Sequence, residues 1–258
     1  MRVIAGPEKK TRVMSEKERR ITAYHEMGHA IVGHYLEHSD PVHKISVIGR
    51  GQALGYTISM PTEDRFLTTR AELTDSMAMT LGGRAAEEIV FSEITTGASN
   101  DIEKVTATAK AMVMRYGMSE RLGPRVFGSD PGQPFLGREF GSQADYSDEI
   151  AREIDDEIRR VVESAHQRAK DLLTEHRDTL NTVSEILVRR ETIEKAEFEA
   201  LVEGTSEDEV FPEEVAPQIP PPATPADKPE RDAPRTLPRP GLAGGLEARA
   251  DEPRKPEL

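Results

Sequence analysis

Residues 21–35 read ITAYHEMGHAIVGHY, with two histidines four positions apart and a glutamate directly after the first. On an α-helix, positions i and i+4 lie one turn apart on the same face, so His25 and His29 can present their imidazoles to one metal ion. Glu26 is rotated by about 100° from His25, which places its carboxylate beside such an ion and within reach of a bound water. The pattern predicts a helix with two metal ligands and a general base, Glu26.

The HExxH pattern is short, and two histidines on an ordinary solvated helix face would produce it as well. The composition of this helix favours the metal site. Its other positions include the apolar or small residues Tyr24, Met27, Gly28, Ile31 and Tyr35. We therefore expect the polar trio to be buried, and a buried carboxylate with two imidazoles needs a compensating partner such as a metal ion.

A third ligand has to come from another part of the chain. The sequence contains no cysteine, so histidine and carboxylate are the remaining ligand types. His34 follows His29 by five positions, which points it away from the histidine pair. Two carboxylate positions are candidates: Glu87 or Glu88 in LGGRAAEEIVF, and Asp101 in TTGASNDIEKV. Asp101 stands where a loop enters a helix N-terminus, which favours a charged carboxylate, but the residues alone leave both positions open.

The remaining pattern predicts a mainly α-helical fold with a small antiparallel β-hairpin. Ser15 and Thr69 each stand three positions before a glutamate, which is the spacing of a capping box. We expect helices over about 16–37, 70–91, 100 or 101 to 116, 146–173, 178–190 and 193–203. Two β-rich runs in KISVIGRGQALGYTISMP, residues 44–61, flank a glycine-bearing turn and predict the hairpin. We expect a long loop over 118–145, and a close backbone approach at Gly82 and Gly83.

The composition changes near residue 205. Residues 205–258 carry twelve of the 18 prolines and few aromatic or β-branched residues. Such a segment cannot bury enough apolar surface to offset its ordering entropy. We expect one compact domain over residues 1–204, followed by a disordered, acidic, proline-rich tail over 205–258.

The charge and hydropathy of the chain disfavour two kinds of partner. The formal net charge is −13, and an acidic surface repels phosphate backbones, so we expect no nucleic-acid binding. No apolar run approaches the roughly 18 to 20 residues that span a bilayer, and no secretory leader is apparent, so we expect no membrane contact by this chain itself. The absence of cysteine fits a reducing, cytoplasmic environment.

Four segments resemble the peptidase domain of FtsH-type, ATP-dependent AAA zinc metalloproteases. They are RVIAGPEKKTRVMSEKERRITAYHEMGHA, LGGRAAEEIVF, TTGASNDIEKVTATAKAMVMRYGMSERLGP and YSDEIAREIDDEIRRVVE, and the resemblance spans about residues 2–203. It implies a zinc ion bound by His25, His29 and Asp101, with Glu26 as the base. Glu87 would lie close to the site and contact the ligands without binding the metal itself.

The resemblance also implies an enzyme, the zinc endopeptidase domain of a membrane-anchored, ATP-dependent protease at the cytoplasmic face of the membrane. Such a protease forms a homo-hexamer with its ATPase module and cleaves unfolded or membrane-extracted proteins. An extended substrate would add as an antiparallel strand to the edge formed by Gly55, Tyr56, Thr57, Ile58 and Ser59. The sequence has no G-x-x-x-x-G-K-[ST] phosphate loop, so we do not expect it to bind ATP, and we expect it to be an excised part of a longer protein.

Two other functions are compatible with the same residues. One is a ring-forming scaffold for peptides or adaptors, whose metal site holds no ion or has only a structural role. The other is a stand-alone gluzincin-like peptidase that uses Glu87 or Glu88 as its third ligand. Turnover of an unfolded peptide separates the protease from the scaffold, and zinc loss in Asp101→Ala or in Glu87→Ala separates the two peptidases.

Overall fold

The computed structural model describes residues 14–49, 54–61, 66–128 and 146–212. Within these ranges the helices are α1 (Glu16–Tyr35), α2 (Arg70–Phe91), α3 (Ser99–Met114), α4 (Asp148–Glu175), α5 (Arg177–Arg190), α6 (Lys195–Val202) and α7 (Glu207–Val210). The strands are β1 (Val42–Ser46), β2 (Tyr56–Ser59) and β3 (Thr192–Glu194), and a 3₁₀ turn, Thr96–Ala98, precedes α3. The mainly α-helical fold with a small antiparallel sheet confirms the predicted fold class.

Both predicted capping boxes are present. The N–H of Glu18 donates to Ser15 Oγ at 3.2 Å, and the N–H of Ser15 donates to Glu18 Oε2 at 2.9 Å. Thr69 and Glu72 make the same exchange at 3.2 and 2.6 Å. Each box satisfies backbone donors that a helix leaves unpaired, so α1 and α2 begin at the residue after the cap.

Helices α1 and α2 cross with their backbones in direct contact. A Cβ on Gly28 would lie 2.4 Å from the carbonyl oxygen of Gly82, and a Cβ on Gly82 would lie 2.5 Å from the carbonyl oxygen of Gly28. Any side chain at either position would therefore push the helices apart. The close approach expected at Gly82 is present, and its partner is the helix that carries HExxH.

The larger of two apolar clusters joins α1 and α2 to α4, α5 and the inner strand of the sheet. Its largest fully covered side chains include Tyr24, Met27, Ile31, Met77, Leu173, Leu180, Leu187 and Phe198. The Tyr24 and Phe91 rings pack edge to face at a centroid distance of 5.4 Å, which joins the middle of α1 to the end of α2. The core therefore holds α1 rigidly against its neighbours.

Strand β1 lies between β2 and β3 and is antiparallel to both. The β1–β2 pair is the predicted hairpin, but β3 was missed, because the sequence predicts a helix from residue 193. Glu191 has a φ of 62°, which turns the chain after α5, and Ile193 is then fully buried opposite Ile45. Helix α6 begins only at Lys195. Strand β2 is the end strand of this sheet.

Several predicted segments extend beyond the described residues. Residues 129–145 of the predicted loop and 213–258 of the predicted tail lie outside them. The described chain continues to residue 212, past the predicted domain boundary at 204, and Arg190 Nε donates to Glu207 Oε1 of α7 at 3.0 Å. None of the helices in the described ranges is both long enough and apolar enough to cross a bilayer.

Candidate metal centre

The side chains of His25, His29 and Asp101 converge on one point. His25 Nε2 lies 3.1 Å from His29 Nε2 and 3.4 Å from Asp101 Oδ2, and His29 Nε2 lies 3.5 Å from Asp101 Oδ2. Three donor atoms bound to one tetrahedral zinc ion at about 2.05 Å are about 3.3 Å apart. The three separations therefore fit a single zinc ion.

Two elements bring these donors together. His25 and His29 stand one turn apart on α1, and their rings meet edge to face with centroids 4.7 Å apart. Asp101 stands in the first turn of α3, directly after the 3₁₀ turn. The free N–H groups at this helix start favour the charged form of the carboxylate.

The second nitrogen of each imidazole also has a partner. His25 Nδ1 lies 2.8 Å from Glu87 Oε1, and His29 Nδ1 lies 2.9 Å from the carbonyl oxygen of Met79. With both Nδ1–H groups donating, the Nε2 lone pairs of the two rings face each other at 3.1 Å. Such lone pairs repel unless a cation lies between them, either a proton on His25 Nε2 or a metal ion that replaces it, so the donor set fits a metal ion.

The two carboxylates of α2 that were candidate ligands, Glu87 and Glu88, lie outside the three-donor cluster. Glu87 is behind His25, and its Oε2 accepts the N–H of Thr95 at 2.7 Å. Glu88 is paired with Arg84 at 3.0 Å and with Lys170 at 3.4 Å. Within the described residues, His25, His29 and Asp101 form the group whose ligand atoms all lie within 4.8 Å of one another. The geometry therefore favours Asp101 over either glutamate as the third donor.

Gly83 provides the space in which the two imidazoles meet. A Cβ at Gly83 would lie 2.6 Å from His25 Nε2 and 2.6 Å from His29 Nε2. The helix crossing at Gly82 thus places the next residue of α2 against the donor atoms. The sequence signal of two glycines indicated a close backbone approach, but it did not indicate that imidazoles would fill the space.

The carboxylate of Glu26 lies against the end strand of the sheet. Thr57 Oγ1 is 2.8 Å from Glu26 Oε2 and 3.0 Å from the carbonyl oxygen of Glu26. Gly55 packs beside the same carboxylate and leaves no room for a side chain, since a Cβ there would lie 2.9 Å from Glu26 Oε1. Glu26 is 7% exposed and His25 is buried as well, whereas His29 is half-buried, so two of the three polar residues expected to be buried are so.

Burial and neighbouring charges shift the pKa values of these groups. Burial lowers the pKa of His25, but hydrogen bonds with Asp101 and Glu87 outweigh it and raise that pKa to about 10. Burial would raise the pKa of Asp101, yet the two imidazoles hold it well below its usual range. Burial raises the pKa of Glu26, and the charges of His29 and His25 and the Thr57 hydroxyl offset only part of this. The Asp101 carboxyl is therefore ionised in neutral solution, as a metal ligand must be.

The other histidines lie outside the cluster. His34 and His38 are exposed, and His43 is half-buried in β1. His166 Nε2 lies 3.3 Å from Glu88 Oε2, and the ring of His176 stacks on Tyr35 with centroids 3.6 Å apart. Within the described residues, the three-donor cluster therefore includes none of these five histidines.

Comparisons with known proteins agree on one family. The sequence profile of peptidase family M41 matches residues 12–201. ATP-dependent zinc metalloprotease FtsH 1 of Conexibacter woesei is 76% identical over 258 residues, which is 100% of this chain and 39% of the relative. ATP-dependent zinc metalloproteases FtsH of Rubrobacter xylanophilus and Bacillus subtilis are 56% and 50% identical over 208 and 203 residues, 81% and 78% of this chain and 32% of each relative. The chain thus spans less than two fifths of the length of these relatives.

Proposed function

Since this chain belongs to peptidase family M41, we propose that it is a zinc-dependent endopeptidase domain, with His25, His29 and Asp101 as zinc ligands and Glu26 as general base. The names of the relatives, which are zinc metalloproteases, support the metal and the activity. The fit of three donor separations to one tetrahedral ion supports the ligand set. Glu87 would hold His25 from behind, and its hydrogen bond to Nδ1 would keep Nε2 free for the metal.

A zinc ion bound here would make a coordinated water acidic and polarise the carbonyl of the scissile bond. Glu26 would take a proton from the attacking water and pass it to the leaving amine. Its Oε2 is engaged by Thr57, which leaves Oε1 to receive the proton. Because burial raises the pKa of Glu26, the carboxyl can hold this proton until the peptide bond breaks.

We further propose that β2 receives the substrate as an added antiparallel strand. β2 ends the sheet order β2–β1–β3, and Tyr56, Thr57, Ile58 and Ser59 are all partly exposed. A strand added at this edge is recognised through backbone hydrogen bonds, which every extended peptide can make. The expected substrates are therefore unfolded polypeptides of varied sequence, including chains extracted from a membrane.

The assembly of the longer protein is also part of this proposal. The relatives are named ATP-dependent, and this chain spans less than two fifths of their length. We infer that the peptidase domain works with an ATPase module in the same polypeptide, as a membrane-anchored homo-hexamer whose catalytic part faces the cytoplasm. ATP hydrolysis would then supply unfolded substrate, because a peptide must be extended to lie along β2.

The observation that carries the proposal is the three-donor cluster with Glu26 beside it, and one substitution tests it. Glu26→Gln should retain about one zinc ion per chain while kcat for an unfolded fluorogenic peptide falls by about 10² to 10⁴. Glu88→Gln makes the same chemical change on an adjacent helix and should leave kcat within about twofold. Loss of zinc in Glu26→Gln, or unchanged turnover, would contradict the role of Glu26. Zinc-loaded wild-type protein that cleaves no peptide would favour the scaffold.

A further inference from the structure

Two residues at the end strand of the sheet touch the carboxylate of Glu26. Thr57 Oγ1 lies 2.8 Å from Oε2, and Gly55 packs so closely that a Cβ there would be 2.9 Å from Oε1 and 2.9 Å from Cγ. Thr57 thus holds Oε2 by a hydrogen bond, and Gly55, which directly precedes β2, packs beside Oε1. The contact depends on the position of β2, since neither residue belongs to the helix that carries Glu26.

Thr57 belongs to the sheet through its backbone and contacts Glu26 through its side chain. Its backbone is paired with Ile45 of β1 on one side, and its other side is the outer edge of the sheet. Its hydroxyl reaches under the sheet to Glu26, where the carbonyl oxygen of Glu26 at 3.0 Å offers a second acceptor. A β-branched residue has few side-chain rotamers, so the hydroxyl follows any movement of the strand backbone.

We propose that Thr57 is a positioning residue that couples substrate docking on β2 to the orientation of the Glu26 carboxylate. This inference rests on the proposed function, because it takes β2 as the docking edge and Glu26 as the base. A docked substrate strand pairs the outer edge of β2 and restrains its backbone. Thr57 transmits that restraint to Oε2 through one hydrogen bond.

The energetic reason lies in the small size of the sheet. β2 has four residues and, within the described part of the chain, is paired on one side only, so an added strand restrains it appreciably. Proton transfer is sensitive to the orientation of the base, and small misplacements lower the rate strongly. If substrate docking restrains β2 and so orients Glu26, it should raise kcat. If the backbone hydrogen bonds at the edge only hold the peptide, they should lower KM and leave kcat unchanged.

If Thr57 couples docking to Glu26, kcat should depend on the length of the peptide. A hydroxyl that only stabilises the fold would not produce this dependence. Two peptides with the same scissile bond, about four and about ten residues long, differ in how much of β2 they can pair. With the wild-type protein, the longer peptide should show a kcat about tenfold above that of the shorter one. Without the Thr57 hydroxyl, this difference in kcat should shrink to about twofold while the difference in KM persists.

The test compares three variants of the zinc-loaded full chain. Thr57→Val keeps the shape and strand preference but removes the hydroxyl, Thr57→Ser keeps the hydroxyl, and Thr192→Val makes the same change on β3 at the opposite edge. Thr57→Val should lower kcat for the longer peptide about tenfold with unchanged zinc content. Thr57→Ser should recover kcat to within about threefold, and Thr192→Val should match the wild type. Equal kcat for Thr57→Val and wild type, or equal losses in Thr57→Val and Thr192→Val, would overturn the proposal.

A crystal structure of zinc-loaded Thr57→Val gives a readout that does not depend on turnover. The carboxylate of Glu26 should leave its place against Gly55 or occupy more than one conformation. An unchanged, single Glu26 conformation would overturn the positioning role. If the wild type cleaves neither peptide, the proposed function fails, and the position of Glu26 in this crystal structure still decides the inference about Thr57.

Discussion

Gly28 and Gly82 meet backbone to backbone, with the carbonyl oxygen of each within 2.5 Å of the position that a Cβ on the other would occupy. One residue further along each helix, His29 and Gly83 face each other at the donor cluster. The distance between α1 and α2 at the glycine contact therefore also sets how closely α2 approaches the two imidazoles. A methyl group at the crossing should disturb both the core and the metal centre.

We expect Gly28→Ala to lower the free energy of unfolding by about 1 to 3 kcal/mol, because its methyl group would meet backbone atoms that cannot move aside. Gly33→Ala is the matched control on the same helix, since its nearest neighbour is the flexible Met79 side chain at 3.1 Å. That variant should be neutral or stabilised, because alanine favours a helix interior more than glycine does. Urea denaturation of both proteins measures the difference, and a Gly28→Ala protein as stable as Gly33→Ala would contradict it.

Measuring the zinc content of variants at Asp101, Glu87 and Glu88 should show which of these three carboxylates binds the metal. Asp101→Ala should lose zinc on dialysis, because the site then keeps two protein donors. Glu87→Gln should retain the metal with an affinity lower by about 10- to 100-fold, because only the orientation of His25 is weakened. Glu88→Gln should bind zinc as the wild type does, because its partners are Arg84 and Lys170. Zinc loss in Glu87→Gln combined with retention in Asp101→Ala would instead support the gluzincin-like arrangement.

Zinc binding should release about one proton per site at pH 7. In the metal-free protein the pKa of His25 is raised to about 10 against its burial, by its hydrogen bonds with Asp101 and Glu87, so the ring is protonated at neutral pH. Zinc binds the deprotonated ring, so its affinity should rise by about tenfold per pH unit between pH 7 and 9. Calorimetry in two buffers of different ionisation enthalpy counts the protons. An affinity that does not change over this range would contradict the prediction.

The same shift makes the metal-free protein sensitive to alkaline pH. The pKa of His25 is higher in the folded state, at about 10, than its unperturbed value of 6.5. Its contribution to stability is therefore fully present below pH 6.5 and is lost as the pH rises towards 10. Chelator-treated protein should melt at a lower temperature at pH 9.5 than at pH 6.5. A melting temperature that is higher at pH 9.5 would contradict this sign.

An ion pair between a buried glutamate and a half-exposed arginine, away from the candidate metal centre, provides a further stability test. Glu157 is fully buried and accepts from Arg160 Nε at 2.9 Å, from Arg160 Nη2 at 2.7 Å and from Ser119 Oγ at 2.9 Å. Arg160→Ala should cost about 2 kcal/mol, since it leaves a buried carboxylate without its cation. Arg159→Ala is the control, because the exposed pair of Arg159 with Asp156 spans 3.9 Å and should contribute less than about 0.5 kcal/mol. Thermal melts compare the two variants, and equal losses would show that the burial of Glu157 is unimportant.

The helices of this fold could be predicted because their signals are local. Ser15 and Thr69 carry their capping partners three positions away, and the structure contains both boxes. Strand β3 could not be predicted, because its three residues are extended only through pairing with β1, about 150 positions earlier. Periodicity within such a short window cannot encode a partner so far away.

Part of the metal centre was predictable for the same reason. His25 and His29 share a helix face because their spacing requires it. The sequence alone could not decide between Asp101 and Glu87 as the third ligand. They differ in which nitrogen of His25 each approaches: Asp101 lies 3.4 Å from Nε2, and Glu87 lies 2.8 Å from Nδ1. The Thr57 contact to Glu26 was missed because it depends on how the sheet packs against α1.

The position of β3 in the chain has a consequence for the order in which the molecule is made. A ribosome releases α1, with its histidine pair, long before residues 192–194 emerge to complete the sheet. Until then, β1 and β2 form a two-stranded ribbon, which is marginally stable in water. We therefore expect the edge of the sheet at β2 to become ordered only after residues 192–194 have been synthesised.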